Sequence, residues 1–295
     1  MKRIILSFIL LLAALPVPAQ TSGGSRTDAI LAALRDPSSD YIAVVAHRGD
    51  WRNFKENSIE SIESVIRMGV DIVELDVQLS RDSILVLSHD KTINRCTSGK
   101  GKISRYSAEE LAGFGIPTLK EALECSRGRI CVNIDKGIDY YEQILEIATE
   151  TGTTDQIIVK SSFPADKVSQ ILAEHSDNVI YMPVINPENK VLESFLSSDF
   201  IPLAYEVNWH TDNGSFEKTA ARILKSGSKV WINTLNASYC GRSANNDVKA
   251  LRTGNADAAY GRYLHSGVSI IQTDNPEMLV NYLISKGRHN LPNLQ

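Results

Sequence analysis

Short runs of apolar, β-branched residues alternate with helix-length segments along most of the chain. This alternation is typical of βαβ units and a parallel sheet. Eight runs fit it: 42–47, 71–77, 129–135, 156–160, 179–184, 202–207, 229–234 and 268–273. Eight is the strand count of a closed barrel, and the first run is not followed by the glycine-rich loop of an open doubly wound sheet. The pattern therefore predicts an α/β fold, a (β/α)8 TIM barrel.

Helix start signals follow several of the runs. Three pairs have the spacing of a capping box or a close variant: Ser107 with Glu110, Thr118 with Glu121, and Asp139 with Glu142. Pro276 has the position expected for the first residue of a last helix. We expect helices to begin at these four points.

One short run breaks the alternation. Residues 84–89 follow the second run after a gap too short for a helix, so we expect them to fold back as an antiparallel hairpin. With Arg81 and Asp82 as a two-residue turn, His89 would lie opposite Glu74.

The first twenty residues have the pattern of a cleavable secretory signal. Lys2 and Arg3 precede an apolar run, and small residues follow it. Because the apolar run is too short to span a bilayer, we predict a signal peptide at residues 1–20 and a secreted or periplasmic protein without stable membrane insertion. Residues 21–40 form a predicted N-terminal extension. Residues 41–290 form one barrel domain, because no linker-like stretch divides them.

Charge and cysteine content narrow the classes of partner. The net charge is -4 and no basic run is present, which argues against nucleic acid and anionic membrane surfaces. The four cysteines lack the spacing of a zinc module, and they allow three disulfide pairings that the sequence does not distinguish. The oligomeric state is equally open.

Polar residues collect at the C-terminal ends of the runs, where a barrel of this kind builds its active site. Glu74 and Asp76 are two residues apart on one run, so their side chains leave the same face. Two such carboxylates repel each other unless a cation or a proton joins them, and oxygen ligands suit Mg²⁺ or Ca²⁺. A pair neutralised by arginine or lysine is the structural alternative.

The first run ends in His47, and Arg48 follows it at once. A histidine can donate or accept a proton near neutral pH, and an arginine fork matches the oxygens of a phosphate group. Each residue is a weak signal by itself, because a single strand-end histidine is more often structural. The ends of later runs add Asp135, Lys160, Glu206, Asn233, Thr273 and Asp274.

Several ordered motifs resemble the signature of the glycerophosphodiester phosphodiesterase family. They are His47-Arg48-Gly49, Glu56-Asn57-Ser58, Glu74-Leu75-Asp76-Val77, Leu87-Ser88-His89-Asp90, Ile116-Pro117-Thr118-Leu119 and Thr273-Asp274-Asn275-Pro276. The resemblance extends from about Val44 to Leu283. The Asn-Ile-Asp-Lys-Gly version of the fourth run, residues 133–137, resembles a subgroup of the family.

The resemblance implies both a fold and a reaction. The fold is an irregular (β/α)8 barrel with a small insertion after the hairpin of the second strand, and residues 91–115 match that insertion. The reaction is hydrolysis of small-molecule glycerophosphodiesters to glycerol 3-phosphate and an alcohol, with a divalent metal, Ca²⁺ or Mg²⁺, as cofactor.

The resemblance also assigns roles to residues. These roles are general acid and base for His47 and His89, a phosphate contact for Arg48, and metal binding for Glu74 and Asp76. The family's third metal ligand is usually glutamate, and here the shorter Asp135 stands in its place.

A lysine of the family has no direct counterpart in this chain. It stands two residues beyond the third metal ligand, a position occupied here by Gly137, and strand alternation turns Lys136 to the other face. Lys160, at the end of the next run, could supply the missing positive charge for substrate binding. The alternative is a surface or structural lysine.

Two other functions compete with this prediction. A phospholipase C- or D-like enzyme would need an apolar surface at the pocket mouth, and we find only scattered aromatics such as Trp51 and Phe54. A secreted barrel that binds a phosphorylated ligand without catalysis would need loss of a catalytic group, whereas the main ones are present. A water-soluble diester is the preferred substrate. The leaving alcohol, the metal and the division of acid and base roles stay open.

Overall fold

The computed structural model describes residues 24–135, 137–173, 179–186, 190–208, 214–235 and 246–291. The predicted signal peptide, Lys136 and Cys240 lie outside these residues. The other three cysteines, Cys96, Cys125 and Cys131, are free thiols.

Eight parallel strands form a closed barrel, and a ninth strand is attached to it as a hairpin arm. The strands are β1 (Ala43–His47), β2 (Ile72–Leu79), β3 (Leu85–Leu87), β4 (Cys131–Asp135), β5 (Ile157–Ser161), β6 (Ile180–Ile185), β7 (Ala204–Val207), β8 (Lys229–Asn233) and β9 (Val268–Thr273). Strand β1 pairs with both β2 and β9, which closes the ring, and β2 is the strand to which β3 is joined. The predicted α/β fold, a (β/α)8 TIM barrel, is confirmed.

Helices surround the barrel. In the described ranges they are α1 (Arg26–Arg35), α2 (Ile59–Arg67), α3 (Ala108–Ala112), α4 (Leu119–Ser126), α5 (Tyr141–Thr151), α6 (Ala165–Leu172), α7 (Val191–Leu196), α8 (Ser215–Lys225), α9 (Asn246–Thr253), α10 (Ala256–Tyr260) and α11 (Pro276–Ser285). Short 3-10 helices lie at Ile103–Arg105, Gly137–Tyr140, Thr154–Gln156 and Gly261–His265. In this part of the chain, no helix has the length and apolar character needed to cross a membrane.

Three of the four predicted helix starts are correct. The side chains of Ser107 and Thr118 cap α3 and α4, and Pro276 is the first residue of α11. The start predicted at Asp139 is wrong. The chain after β4 first makes a 3-10 turn there, so that α5 begins at Tyr141 without a side-chain cap.

Side chains inside the barrel change from apolar to polar along the strands. Alternate residues of a strand share one face, so the inward positions can be followed two residues at a time. Near the amino ends they form one buried apolar cluster with α1: Ala43, Val45, Ile72, Cys131, Ile158, Ile180, Met182, Ala204, Trp231 and Ile270. Further along the same faces stand His47, Glu74, Asp76, Asn133, Asp135, Lys160, Glu206, Asn233 and Gln272. One end of the barrel is therefore an apolar core and the other a polar site.

The insertion at residues 91–115 shares a small apolar core with the hairpin arm and the segment that follows the insertion. The core consists of Val86, Ile93, Ile103, Leu111 and Ile116, and it is separate from the larger core between the barrel and its helices. The insertion therefore forms a compact unit beside the hairpin arm.

The hairpin of β2 and β3 is present, but its register differs from the predicted one. Leu79 pairs with Leu85, so the turn contains one more residue than a two-residue turn would. The additional residue is Ser83, whose φ of 62° is left-handed and ends a three-residue turn of a common kind. The prediction that His89 lies opposite Glu74 is therefore wrong by one residue.

Helix α1 closes the amino end of the barrel through a buried charge cluster. A terminal nitrogen of Arg26 lies 3.0 Å from Asp71 Oδ1, and both side chains are almost fully buried. The Tyr41 hydroxyl donates to the same oxygen at 2.7 Å, and the Val44 N–H donates to Oδ2 at 2.8 Å. Because Arg26 and Asp71 neutralise each other away from water, removal of either charge is strongly destabilising.

Replacement of Asp71 tests this cluster. We expect Asp71→Ala to lower the free energy of unfolding by about 3–5 kcal/mol, because the buried guanidinium of Arg26 loses the carboxylate that offsets its charge. Urea unfolding followed by far-UV circular dichroism measures the change. The control is Arg222→Ala, which breaks an exposed ion pair with Glu193 and should cost less than about 1 kcal/mol. Equal losses in the two variants would contradict this account.

Candidate active site

The turn after β1 is held in a strained conformation at the polar end of the barrel. Arg48 has a φ of 56°, which is uncommon for a residue with a side chain. Its N–H donates to Glu74 Oε2 at 2.9 Å, and its carbonyl accepts from the Asn57 N–H at 3.1 Å. A Cβ on Gly49 would lie 2.4 Å from Ser61 Oγ, so glycine is required there. These contacts fix the turn next to β2.

Three carboxylates meet because of strand register. Glu74 and Asp76 share one face of β2, and Asp135 of β4 is the Cα partner of Asp76. One oxygen from each of the three residues lies within 4.8 Å of the others. Glu74 and Asp76 are buried, whereas Asp135 is partly exposed. The three predicted metal ligands are thus brought together, in a group that could hold one cation.

Burial and neighbouring negative charges disfavour the charged form of Glu74 in this cluster. Burial raises the pKa of Glu74 well above its ordinary value, and repulsion from Asp76 and Asp135 raises it further, while the charge of Lys160 lowers it. A divalent cation would relieve this repulsion, and carboxylate oxygens are the ligands that Mg²⁺ and Ca²⁺ prefer. The donor set therefore fits such a cation, even with Asp135 in place of a longer glutamate.

The first histidine is paired with a buried carboxylate. His47 Nδ1 lies 2.8 Å from Asp274 Oδ1, and the Trp51 indole N–H donates to the same oxygen at 2.8 Å. Burial alone would raise the pKa of Asp274, but the hydrogen bonds from His47 and Trp51 outweigh it, and the pKa lies below its ordinary value. Asp274 is thus an anion. When Nδ1 donates to it, Nε2 of His47 is the atom left to exchange a proton.

The second histidine has a carboxylate partner of its own. His89 Nδ1 lies 2.7 Å from Asp90 Oδ1, and about a third of its side chain is exposed. The preceding Ser88 N–H donates to the Asp76 carbonyl at 3.0 Å. The turn that contains His89 is therefore attached to β2, the strand with two of the three clustered carboxylates.

Ion pairs connect the His89 turn to Arg48. Arg95, from the insertion, donates to Asp90 at 2.7 Å and with both terminal nitrogens to Glu56 at 2.6 and 2.7 Å. Glu56 lies 3.5 Å from a terminal nitrogen of Arg48, and Arg48 Nε lies 3.4 Å from Asp76 Oδ2. The insertion thus helps to fix two of the predicted site residues.

Lys160 is a buried residue of the polar end of the barrel. Its Nζ lies 2.5 Å from Glu206 Oε2 and 4.2 Å from the centroid of the Trp231 ring. The Asn233 amide donates to the other oxygen of Glu206 at 2.7 Å. Val159 of β5 pairs with Ile134 of β4, so that Lys160 and Asp135 are the next residues along these two neighbouring strands. Its burial rules out the surface role that the sequence left open.

A profile of the glycerophosphoryl diester phosphodiesterase family matches residues 47–278. The chain belongs to this family. It is similar to a glycerophosphodiester phosphodiesterase of Caldanaerobacter subterraneus, with 33% identity over 138 residues that cover 40% of this chain and 57% of that relative. The match thus spans little more than half the length of that curated relative.

Solved structures of the family share the fold. One is a glycerophosphoryl diester phosphodiesterase from Parabacteroides distasonis, with a TM-score of 0.74, 20% identity, and coverage of 88% of this chain and 92% of that one. Another is an Oleispira antarctica phosphodiesterase in complex with the product sn-glycerol-3-phosphate, with a TM-score of 0.62, 20% identity, and coverage of 83% and 97%. At these identities the likeness supports the barrel architecture.

The charged residues that hold the two histidines and Arg48 in this family member had not been assigned a role from sequence. Asp274, Asp90 and Glu56 stand inside motifs that carry the family resemblance, and the position of Asp274 at a strand end was a further signal. Arg95 had no comparable signal, because its partner Glu56 is distant along the chain and the two meet only through the folded insertion.

Replacement of Arg95 tests the ion-pair network. The hydrogen bond and charge of Arg95 hold the pKa of Asp90 at about 2, so we expect Arg95→Leu to raise it toward the ordinary value of 3.8. Because the folded-state pKa is lowered, the Asp90 carboxylate stabilises the fold above about pH 4, and this contribution is lost as pH falls through about 2. A carbon-13 NMR titration of the aspartate carboxyls measures the shift.

A second arginine provides the control for that titration. Arg222→Leu removes an exposed ion pair with Glu193 and should leave the pKa of Asp90 unchanged. An Asp90 pKa that also stays at about 2 in Arg95→Leu would refute the network.

Proposed function

We propose that the protein is an exported, cation-dependent hydrolase of water-soluble glycerophosphodiesters that releases glycerol 3-phosphate and an alcohol. The observation that carries the proposal is a pair of histidines, each held at Nδ1 by an aspartate, beside the strand with the clustered carboxylates. Family membership supports the reaction, and the complex of the Oleispira relative with sn-glycerol-3-phosphate supports the substrate class. Export rests on the signal pattern of residues 1–20.

The two histidines supply the proton transfers that the reaction needs. The attacking oxygen, from water or a neighbouring hydroxyl of the substrate, loses a proton as it bonds to phosphorus. Attack by water gives glycerol 3-phosphate directly, whereas attack by the hydroxyl gives a cyclic diester that a water molecule must then open. The bond between phosphorus and the leaving alcohol breaks, and the departing oxygen gains a proton. We assign these transfers to Nε2 of His47 and His89, because Nδ1 of each is held by a carboxylate. Each transfer typically contributes ~10²- to 10⁴-fold in rate.

The anionic diester also needs positive charge around its phosphate. We assign the divalent cation to Glu74, Asp76 and Asp135, where it would polarise the phosphate oxygens. Arg48 provides a guanidinium group that contacts Glu56 and Asp76, and Lys160 provides a second, buried positive charge near Glu74. These groups would stabilise the charge that develops on phosphate in the transition state.

The surroundings of the site favour a soluble head-group diester over an intact phospholipid. Trp51 and Phe54 are the exposed aromatics of the segment after β1, at 38% and 40% exposure. The Trp51 indole N–H donates a hydrogen bond to Asp274, and the Arg52 guanidinium lies 4.8 Å from the centroid of the Trp51 ring. A lipid-binding mouth needs a larger continuous apolar surface than these two side chains provide, and the described part of the segment after β1 adds no further exposed aromatic. The presence of both histidines and all three carboxylates disfavours a binding module without activity.

Replacement of His47 and removal of the cation test the reaction. The assay is release of glycerol 3-phosphate from glycerophosphocholine or glycerophosphoethanolamine. We expect His47→Ala to lower kcat by ~10²- to 10⁴-fold, because one proton transfer is lost. EDTA should abolish the activity of the native protein, and added Mg²⁺ or Ca²⁺ should restore it.

The control for this assay is His265→Ala, since His265 is exposed in a 3-10 helix and should leave kcat unchanged. Activity that survives both His47→Ala and EDTA would refute the mechanism. A native protein inactive on every diester tried would favour the binding module.

Replacement of Lys160 tests its assigned contact with the substrate. We expect Lys160→Met to lower kcat/KM by roughly 10- to 100-fold, the usual value of a hydrogen bond to a charged group. The double variant Lys160→Met with Glu206→Gln removes the whole ion pair and should stay as slow. If the double variant recovers native kcat/KM, Lys160 serves only to neutralise Glu206, and the assignment is wrong.

A further inference from the structure

A second buried carboxylate lies behind Asp274. Asp247 is in the first turn of α9, after the long connection that follows β8, and its side chain is completely buried. Its Oδ1 accepts hydrogen bonds from the hydroxyls of Thr234, Tyr260 and Thr273 at 2.9, 2.8 and 2.8 Å. Its Oδ2 accepts from the backbone N–H of Asp274 at 2.7 Å. The Asp247 carboxylate therefore connects the residue after β8, helix α10 and strand β9 to Asp274, which holds His47.

The turn after β9 is organised around this carboxylate. The Asn275 side-chain amide donates to the Asp247 carbonyl at 3.1 Å, and the Asn275 N–H donates to Thr273 Oγ1 at 2.9 Å. The Arg52 guanidinium donates to the Asp274 carbonyl at 2.6 Å. The Asp274 peptide is thus fixed at both its N–H and its carbonyl, so that its side chain has little freedom in where it meets His47.

The geometry points to Asp247 as a positioning residue of the active site: it fixes the backbone of Asp274 so that the Asp274 carboxylate meets His47 Nδ1. This inference rests on the proposed function, because only there does His47 transfer protons. Its value for catalysis lies in alignment, since a displacement of about 1 Å can cost ~10²-fold in rate.

The cost of burying Asp247 supports a role beyond packing. Burial raises the pKa of Asp247 to about 7, although four donors surround the carboxylate. An apolar side chain at this position would avoid that cost. Departures of this kind from a simple apolar core are typical of functional sites, where a charged group is retained for what it positions.

Tyr260 offers a matched control for the test. Tyr260→Phe removes one donor from Asp247 Oδ1 but leaves the bond between Oδ2 and the Asp274 N–H. Tyr260→Phe loses one buried hydrogen bond of the cluster and Asp247→Ala loses four, so both should lower the melting temperature. Only Asp247→Ala should release the Asp274 backbone.

The test has a spectroscopic readout that needs no substrate. The Trp51 indole N–H donates to Asp274 Oδ1, so its proton and nitrogen-15 resonances report the position of that carboxylate. The signal is assigned with Trp51→Phe. We expect Asp247→Ala to move the indole proton upfield and Tyr260→Phe to leave it in place. In the glycerophosphodiester assay, Asp247→Ala should lower kcat about tenfold with KM within about twofold of native, and Tyr260→Phe should retain native kcat.

If Asp247→Ala does not fold, Asp247→Asn serves as the second variant. The amide weakens the acceptor for the Asp274 N–H, so the same two changes should appear at smaller size. A folded Asp247 variant with native indole resonances and native kcat overturns the inference, and so does a Tyr260→Phe variant with the same losses. If His47→Ala stays active while Asp247→Ala still shifts the indole signal, the positioning of Asp274 stands and the proposed function fails.

Discussion

Mutual repulsion among three carboxylates is the constraint around which the polar end of the barrel is organised. Glu74, Asp76 and Asp135 approach within 4.8 Å in a largely buried site, which is unfavourable unless positive charge or donors face them. The surrounding groups meet this need in part. The Arg48 N–H bonds to Glu74, and the Asn57 amide bonds to Asp76. A divalent cation would neutralise the negative charge that remains on the carboxylates.

The same constraint explains the unusual backbone beside the cluster. Arg48 and Asn57 both adopt left-handed conformations, with φ of 56° and 55°, and they bond to each other as well as to the carboxylates. Backbone strain of this kind persists only where the surrounding contacts over-determine it. Here the carboxylates themselves supply those contacts, so the charged cluster and the strained turn stabilise each other.

The barrel was readable from the sequence because strand alternation and parallel register are local, periodic properties. Eight apolar runs predicted the eight parallel strands of the barrel, and the two-residue spacing of Glu74 and Asp76 placed both side chains on one face of their strand. The addition of Asp135 follows from register, since it pairs with Asp76. The hairpin register was not readable, because one left-handed serine, Ser83, lengthened the turn.

The contacts around the histidines were less accessible from sequence. Asp274 reaches His47 from 227 residues away, and Arg95 reaches Glu56 from 39 residues away. No local pattern encodes such pairs, because they depend on closure of the barrel and on how the insertion folds. Family motifs marked Asp274 and Glu56 as notable positions, but only the three-dimensional arrangement shows what each one holds.

Anomalous diffraction from crystals of the protein soaked in Mn²⁺, as a probe for the divalent site, tests the central claim most directly. We predict one strong anomalous peak within bonding distance of oxygens from Glu74, Asp76 and Asp135, and its loss in crystals of Asp135→Asn soaked in the same way. A peak bound elsewhere, with these three carboxylates uncoordinated, would contradict the account.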